Sequence, residues 1–170
     1  MHPLVRRTWA PVGQTPKLFC RTRHHRRISG IGGISLSPRR KQVRLFLQFH
    51  SDRSIRQKQV IAFLKSLLKH LRGGVILVWD RLSAHRGASV NKYLAKHVRV
   101  EREYFPPYSP ELNPLEYAWS NLKGSSTLAN ACPDEVAELH GLVRLAARRV
   151  HRRPNLLRSF IRATKLPIRL

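Results

Sequence analysis

Two carboxylates occupy positions from which this chain could perform metal-dependent chemistry. The first, Asp80, directly follows the apolar run Val75–Trp79, which predicts a strand buried on both faces of a parallel sheet. Functional side chains of open α/β sheets lie outside the carboxyl ends of the strands, so this position favours chemistry. A side chain that caps the turn after the strand is an equally good interpretation of Asp80.

The second carboxylate, Glu116, follows the proline-rich segment FPPYSPELNP. Asn113, Pro114 and Glu116 have the spacing of a capping box, with an N-cap, a proline at the first helical position and a reciprocal Glu. That motif alone explains Glu116. The earlier prolines, however, restrict the backbone more than a helix start needs, and a stiff lead-in would place the first turn accurately over the strand end. Two carboxylates meeting there would repel each other unless a cation such as Mg²⁺ lay between them.

The elements that must position these acids are predicted in an α/β order on a mixed sheet flanked by helices. The first 26 residues predict irregular structure or a short hairpin. Asp52 or Ser54 is a candidate N-cap for the first helix, and Pro133 is expected in the first turn of the longest one. The remaining predictions are strands at 27–36, 42–50, 75–79 and 98–105, with helices within 51–74 and at 87–97, 114–124, 133–153 and 155–164. We expect one domain over residues 1–165 and a tail of residues 166–170.

The two acid-bearing segments resemble the catalytic core of a known family. VWDRLSAHR and PPYSPELNPLEYAWSNLK are similar to segments of bacterial insertion-sequence transposases of the mariner-like superfamily, which carry an Asp-Asp-Glu triad on an RNase H-like fold. In that family a strand ends in the second Asp, a His follows five residues later, and a proline-rich run leads to the third acid. Asp80, His85 and Glu116 match those places, and the separation of the acids, 116 − 80 = 36, falls within the family's usual spacing.

The resemblance implies DNA cleavage and strand transfer, the reactions of DNA transposition and integration. Asp80 and Glu116 would be ligands of Mg²⁺ or Mn²⁺, in a scheme with two metal ions about 4 Å apart. The implied partners are transposon-end and target DNA, together with a second copy of the chain in a homodimer. The implied location is the bacterial cytoplasm, in association with the nucleoid.

The same resemblance indicates that the first acid of the triad is missing. RRTWAPVGQTP is similar to the segment that follows the first catalytic strand, and no Asp or Glu precedes Asp52. Asp52 itself lies after the hairpin, which is the wrong place. The family puts the first strand between the hairpin and Val75–Trp79, so we expect an RNase H-like fold that lacks this strand and has two open edges. As a truncated domain, the chain is expected to have little or no activity.

The charge of the chain predicts a polyanionic partner. There are 33 Lys and Arg against 9 Asp and Glu, which gives a net charge of +24. The candidate DNA contacts are His85, Lys123, Arg39, Arg40 and Lys41, although each could be an ordinary solvated or capping residue. No apolar run reaches the length of a membrane span. Two alternatives stay open, a non-catalytic basic nucleic-acid-binding protein or remnant, and another RNase H-like nuclease such as a resolvase.

The chain has two cysteines, Cys20 and Cys132. Neither belongs to a pair with zinc-ligand spacing, and two cysteines do not make a disulfide framework. We therefore expect both thiols to be reduced and structural.

Overall fold

A computed structural model describes residues 9–17, 27–164 and 166–168 of the chain. The predicted α/β order is confirmed from the hairpin onward, and residues 9–17 form no helix or strand. The rest of the predicted irregular start lies outside the described residues. In chain order the elements are β1 (Ile28–Leu36), β2 (Val43–Ser51), α1 (Gln57–His70), β3 (Val75–Trp79), α2 (Ser83–Arg86), α3 (Ala88–Ala95), β4 (Val100–Tyr104), a 3₁₀ turn (Pro110–Leu112), α4 (Pro114–Lys123), α5 (Val136–His151) and α6 (Pro154–Ala163).

The hairpin of β1 and β2 lies between two layers of helices. The strands pair antiparallel, from Ile28 opposite Ser51 to Leu36 opposite Val43. Because side chains alternate along a strand, one face of the hairpin carries Val43 and Leu45 against α4, α5 and α6. The other face carries Ile31 and Phe46 against α1. The apolar residues at every second position of β2 thus form the face that packs on α4, α5 and α6.

The second sheet consists of β3 and β4, which run parallel as predicted, from Val75 opposite Val100 to Trp79 opposite Tyr104. One face of β3 packs through Trp79 on α1 and α3. The expectation that β3 is buried on both faces is wrong, because Ile76 is 68% exposed and Val78 is 45% exposed on the other face. Helices α4, α5 and α6 pack on the hairpin and leave this side of β3 uncovered.

A cleft separates the two sheets where one mixed sheet was predicted. Among the described residues, the strands form two sheets of two strands each, and no strand joins β1 to β3. The cleft has a volume of about 950 Å³ and is lined by β1 residues 31–36 and by the whole of β3. Leu166 and Ile168 also line it, so these residues of the predicted tail lie against the domain. The domain boundary at residue 165 stays a prediction.

Three local predictions are wrong. Neither Asp52 nor Ser54 caps α1, because both side chains accept hydrogen bonds from Arg27 and the helix begins only at Gln57. Pro133 lies before α5, which starts at Val136 after the Asp134 N–H donates to the Glu138 carboxylate. Cys132 is disulfide-bonded, which contradicts the expectation of a reduced thiol there. Within the described ranges, every helix is too short or too polar to cross a bilayer.

Candidate active site

Asp80 lies at the carboxyl end of β3, and its side chain is held by two hydrogen bonds. Its Oδ1 atom accepts from the Leu82 backbone N–H (3.1 Å) and from Nδ1 of His85 (2.6 Å). Partial burial raises the pKa of Asp80, but the His85 and Leu82 hydrogen bonds outweigh it, so the pKa lies below its ordinary value. The carboxyl is therefore ionised at neutral pH. Asp80 also makes the turn contact that its capping interpretation predicted.

The imidazole ring of His85 contacts two neighbouring side chains, those of Asp80 and Trp79. Helix α2 begins three residues after Asp80 and turns the imidazole back toward the strand, where it stacks on Trp79 with ring centroids 4.6 Å apart and an interplanar angle of 4°. The His85 side chain is only 14% exposed, whereas that of Asp80 is 42% exposed. The role of Trp79 was missed in the sequence, although an aromatic residue directly before the acid was its signal. Trp79 and His85 together orient the carboxylate.

Glu116 is the third residue of α4 and projects into solvent. Asn113 is the N-cap as predicted, since its Oδ1 accepts from the Leu115 N–H at 3.0 Å. The reciprocal half of the capping box is absent, because the Asn113 N–H donates to the Pro110 carbonyl (3.0 Å). The Glu116 carboxylate makes no hydrogen bond or ion pair with another described residue. The capping-box explanation of Glu116 is therefore wrong, and its carboxylate is available to a ligand.

The proline-rich segment is tied to the strand that carries Asp80. The Phe105 N–H donates to the Trp79 carbonyl (2.9 Å), and Nε of Arg81 donates to the Phe105 carbonyl (3.3 Å). At the other end, the 3₁₀ turn leads directly into the Asn113 cap. Tyr108, between these anchors, is fully exposed and has a left-handed φ of 56°. Both ends of the segment are thus anchored, and the stiffness expected of the prolines between them stays a prediction.

Asp80 lies in the wall of the cleft, whereas Glu116 is exposed and is not one of the residues that line it. The lining of the cleft includes Asp80, His85, the N-cap Asn113 and the first two residues of α4, Pro114 and Leu115, and Glu116 is the next residue along the helix. In the part of the chain that the structure describes, no group of three or more His, Cys, Asp or Glu side chains is arranged to hold a metal ion. Asp80 Oδ2 and the Glu116 carboxylate remain as oxygen donors. Carboxylate oxygens are ligands that Mg²⁺ takes in proteins, usually one or two of them together with several waters.

The predicted DNA contacts lie in three places. Arg39, Arg40 and Lys41 form the exposed turn between β1 and β2, at the end of the hairpin. Lys123 is exposed at the last residue of α4, seven positions after Glu116 and on the same helical face. His85 lies against Asp80 and is mostly buried. The structure thus brings His85 and Asp80 together, whereas the DNA-binding roles stay predictions.

Three comparisons with known proteins bear on this site. The profile of the family described as DDE superfamily endonuclease matches residues 1–138. The chain is also similar to a solved structure, "Mos1 transposase paired-end complex with left transposon end", with a TM-score of 0.51 and 15% sequence identity. The match covers 96% of this chain and 52% of the other, so the chain spans about half the length of that transposase. No curated protein matches. The fold is therefore similar to the RNase H-like fold of Mos1 transposase.

Proposed function

Because this chain belongs to the DDE superfamily endonucleases, we propose that it is the catalytic-domain part of a bacterial insertion-sequence transposase. Its reaction would be metal-dependent cleavage and strand transfer of DNA. The observation that carries the proposal is that Asp80 lines the cleft and that Glu116 directly follows the residues at the start of α4 that line the same cleft. One acid is locked at the strand end by His85, and the other stands at the capped helix start with its carboxylate unpaired by any described residue.

Asp80 and Glu116 would hold the divalent cation, Mg²⁺ or Mn²⁺. Asp80 would use Oδ2, because Oδ1 already accepts two hydrogen bonds. When bound, the cation would supply Lewis-acid stabilisation of charge on the phosphate oxygens. His85 would keep the Asp80 carboxylate in one orientation, and the lowered pKa of Asp80 keeps it ionised without the cation. The Asn113 cap would fix the first turn of α4, from which Glu116 projects.

We also propose that a further strand, parallel to β3 and ending in an acid, completes this site from within the cleft. The cleft runs between residues 31–36 of β1 and the strand β3, which no described strand joins, and its wall includes the exposed Ile76 and Val78. Covering these two side chains would contribute roughly 2–3 kcal/mol from apolar burial. A strand in this position would end beside Asp80, which supports assigning the first triad Asp to it. Without that acid, we expect the chain to have little or no activity.

DNA is the proposed partner. The net charge of +24 favours a polyanion, and the similar Mos1 structure is a complex with a transposon end. Arg39, Arg40 and Lys41 at the hairpin turn and Lys123 beside the Glu116 helix are the proposed backbone contacts. The proposal extends to transposon ends and target DNA, to a homodimer, and to the bacterial cytoplasm.

The test of this function is Mg²⁺-dependent cleavage and joining of DNA that carries the element's own terminal repeats. The chain alone should give neither product. The chain supplied with an acid-bearing strand that fills the cleft should give both, and Asp80→Ala or Glu116→Ala should abolish them. Clear activity of the chain alone that is lost in Asp80→Ala would show that no further acid is needed. Activity of the completed chain that survives both substitutions would contradict the assignment of the site.

A non-catalytic basic nucleic-acid-binding protein is the second candidate. It is favoured by the absence of a three-ligand metal cluster from the described residues. Two results together would support this candidate over the first. DNA binding would persist in EDTA and be unchanged in Asp80→Ala and Glu116→Ala. The chain supplied with the acid-bearing strand would show no cleavage or joining.

A further inference from the structure

The outer edge of β2 carries backbone groups that other described residues leave unpaired. In an antiparallel pair, alternate residues direct both their N–H and C=O toward the partner strand, and the residues between them direct both away. Gln42 turns its carbonyl toward β1, where it accepts the Ser37 N–H, whereas Leu45 turns its carbonyl outward to Nδ1 of His151 (3.0 Å). Odd-numbered residues of β2 therefore point away from β1. At Leu47 and Phe49, neither group has a partner among the described residues.

This edge opens into a groove between α1 and α5. The groove has a volume of about 570 Å³, and Leu45 to Phe49 line its floor. The wall from α1 is largely apolar and includes Phe63 and Leu67. The wall from α5 is basic and contributes Arg144 and Arg148, together with His140 and His151. The two walls of the groove thus differ in chemistry.

The sheet geometry determines how an added strand would meet these walls. The odd-numbered side chains of β2 face α4, α5 and α6, and the even-numbered side chain of Phe46 faces α1. A strand that extends the sheet beyond β2 would alternate in the same way, with every second side chain toward α5 and the others toward α1. Acidic side chains would meet Arg144 and Arg148. Apolar side chains would meet Phe63 and Leu67.

We propose that this groove, which we name the β2-edge groove, binds an extended segment of a partner protein in which acidic and apolar residues alternate. The segment adds a strand to the sheet, through hydrogen bonds to the N–H and C=O groups of Leu47 and Phe49. The proposal is independent of the catalytic site, which lies at the cleft on the far side of β1.

A second copy of the chain fits the groove less well. Its own β2 contains no Asp or Glu to face the arginines, and each copy carries a charge of +24. Duplex DNA could place phosphates near Arg144 and Arg148, but it offers no strand backbone to pair with Leu47 and Phe49. The unpaired main-chain groups therefore favour a peptide.

The test uses the whole chain and a fluorescent hexapeptide of alternating glutamate and valine. Anisotropy should report saturable binding, and NMR hydrogen exchange should slow at the amides of Leu47 and Phe49 when the peptide is added. Arg144→Glu combined with Arg148→Glu should weaken binding about tenfold or more. Lys58→Glu combined with Lys65→Glu changes the charge equally on exposed positions outside the groove, and it should preserve most of the affinity. The same peptide N-methylated at alternate residues keeps its charge but loses strand donors, and it should bind at least about tenfold more weakly.

Several results would overturn the proposal. One is equal binding by a peptide with its three glutamates and three valines in separate blocks, which would indicate charge attraction alone. Another is unchanged exchange at Leu47 and Phe49 in the bound state. The groove would be assigned to nucleic acid if duplex DNA displaced the peptide competitively and if the Arg144 and Arg148 double variant lost DNA binding. Self-association of the chain that is lost in this double variant would assign it to a second copy.

Discussion

Substituting His85 by alanine should change both the stability of the domain and its dependence on pH. The variant loses the 2.6 Å hydrogen bond to the Asp80 carboxylate and a ring stacked on Trp79. A charge-assisted hydrogen bond contributes about 1.5–3 kcal/mol when buried, and we reduce this to about 1 kcal/mol because Asp80 is 42% exposed. The lost stacking adds about 1 kcal/mol. We expect the free energy of unfolding to fall by roughly 2 kcal/mol at neutral pH.

The pH dependence follows from the sign of the Asp80 shift. Its pKa is lower in the folded state than in the unfolded chain, so ionised Asp80 stabilises the fold above the unfolded pKa. This contribution is lost as the pH falls below about 4 and through the folded pKa. In His85→Ala the partial burial of Asp80 still raises its pKa, but the strongest opposing hydrogen bond is gone. The Asp80 pKa should therefore rise, and the acid loss of stability should become smaller.

Urea denaturation from pH 3 to pH 7, with an NMR titration of the Asp80 carboxyl, measures both effects. The matched control is His97→Ala, because His97 contacts the ring of Tyr93 and bonds its neutral carbonyl (2.8 Å) without a carboxylate. The control should leave the Asp80 pKa as it is in the wild type. An Asp80 pKa that is the same in the wild type and in His85→Ala would refute the reasoning.

Three further substitutions test the packing around the site. Gly32→Ala should lower the free energy of unfolding, measured by urea denaturation, by about 1–3 kcal/mol, because its Cβ would lie 2.5 Å from a methyl carbon of Leu47. The control Gly33→Ala should cost much less, because the nearest atom to its Cβ would be 3.8 Å away. Equal losses in the two variants would contradict the geometry. Arg99→Ala removes three hydrogen bonds to carbonyls in the last turn of α1 and in the segment directly after it. It should cost about 2–3 kcal/mol in the same assay, and a change under about 0.5 kcal/mol would count against this reasoning. Asn113→Ala removes the cap of α4 and should lower the free energy of unfolding by about 1 kcal/mol. Asn113→Asp keeps a capping oxygen and should retain most of the stability. Equal losses in the two variants would contradict the capping role.

The order of strands and helices was predictable because it depends on local pattern. The alternation in β2 and the short apolar run of β3 each predicted the correct element. Burial of β3 on both faces was not predictable from its own residues, since it depends on which strands and helices lie beside it. Ile76 and Val78 have the composition of a core strand but face a cleft. Helix ends were predicted wrongly where a residue distant in sequence bonds the candidate capping side chain. The Arg27 N–H, for example, donates to the Asp52 carboxylate.

The positions of Asp80 and Glu116 in the fold were predictable, whereas their roles stay proposals. Position after a strand and the proline-rich lead-in pointed to Asp80 and Glu116. The hydrogen bonds that distinguish their roles were not predictable, because a turn brings His85 back to Asp80 and a 3₁₀ bond occupies the Asn113 N–H that a capping box requires. These contacts depend on the path of the backbone after each motif.

The proposal that Asp80 and Glu116 hold one divalent ion is tested most directly by Mn²⁺. This ion broadens the NMR signals of nearby amides, so a titration of the 170-residue chain reports which residues surround it. We predict that the amides around Asp80 and those at the start of α4 broaden together at the same Mn²⁺ concentration, and that Asp80→Asn or Glu116→Gln abolishes both effects. Broadening of only one of these segments would contradict a shared metal site. Broadening of both segments that is unchanged in Asp80→Asn and in Glu116→Gln would also contradict it.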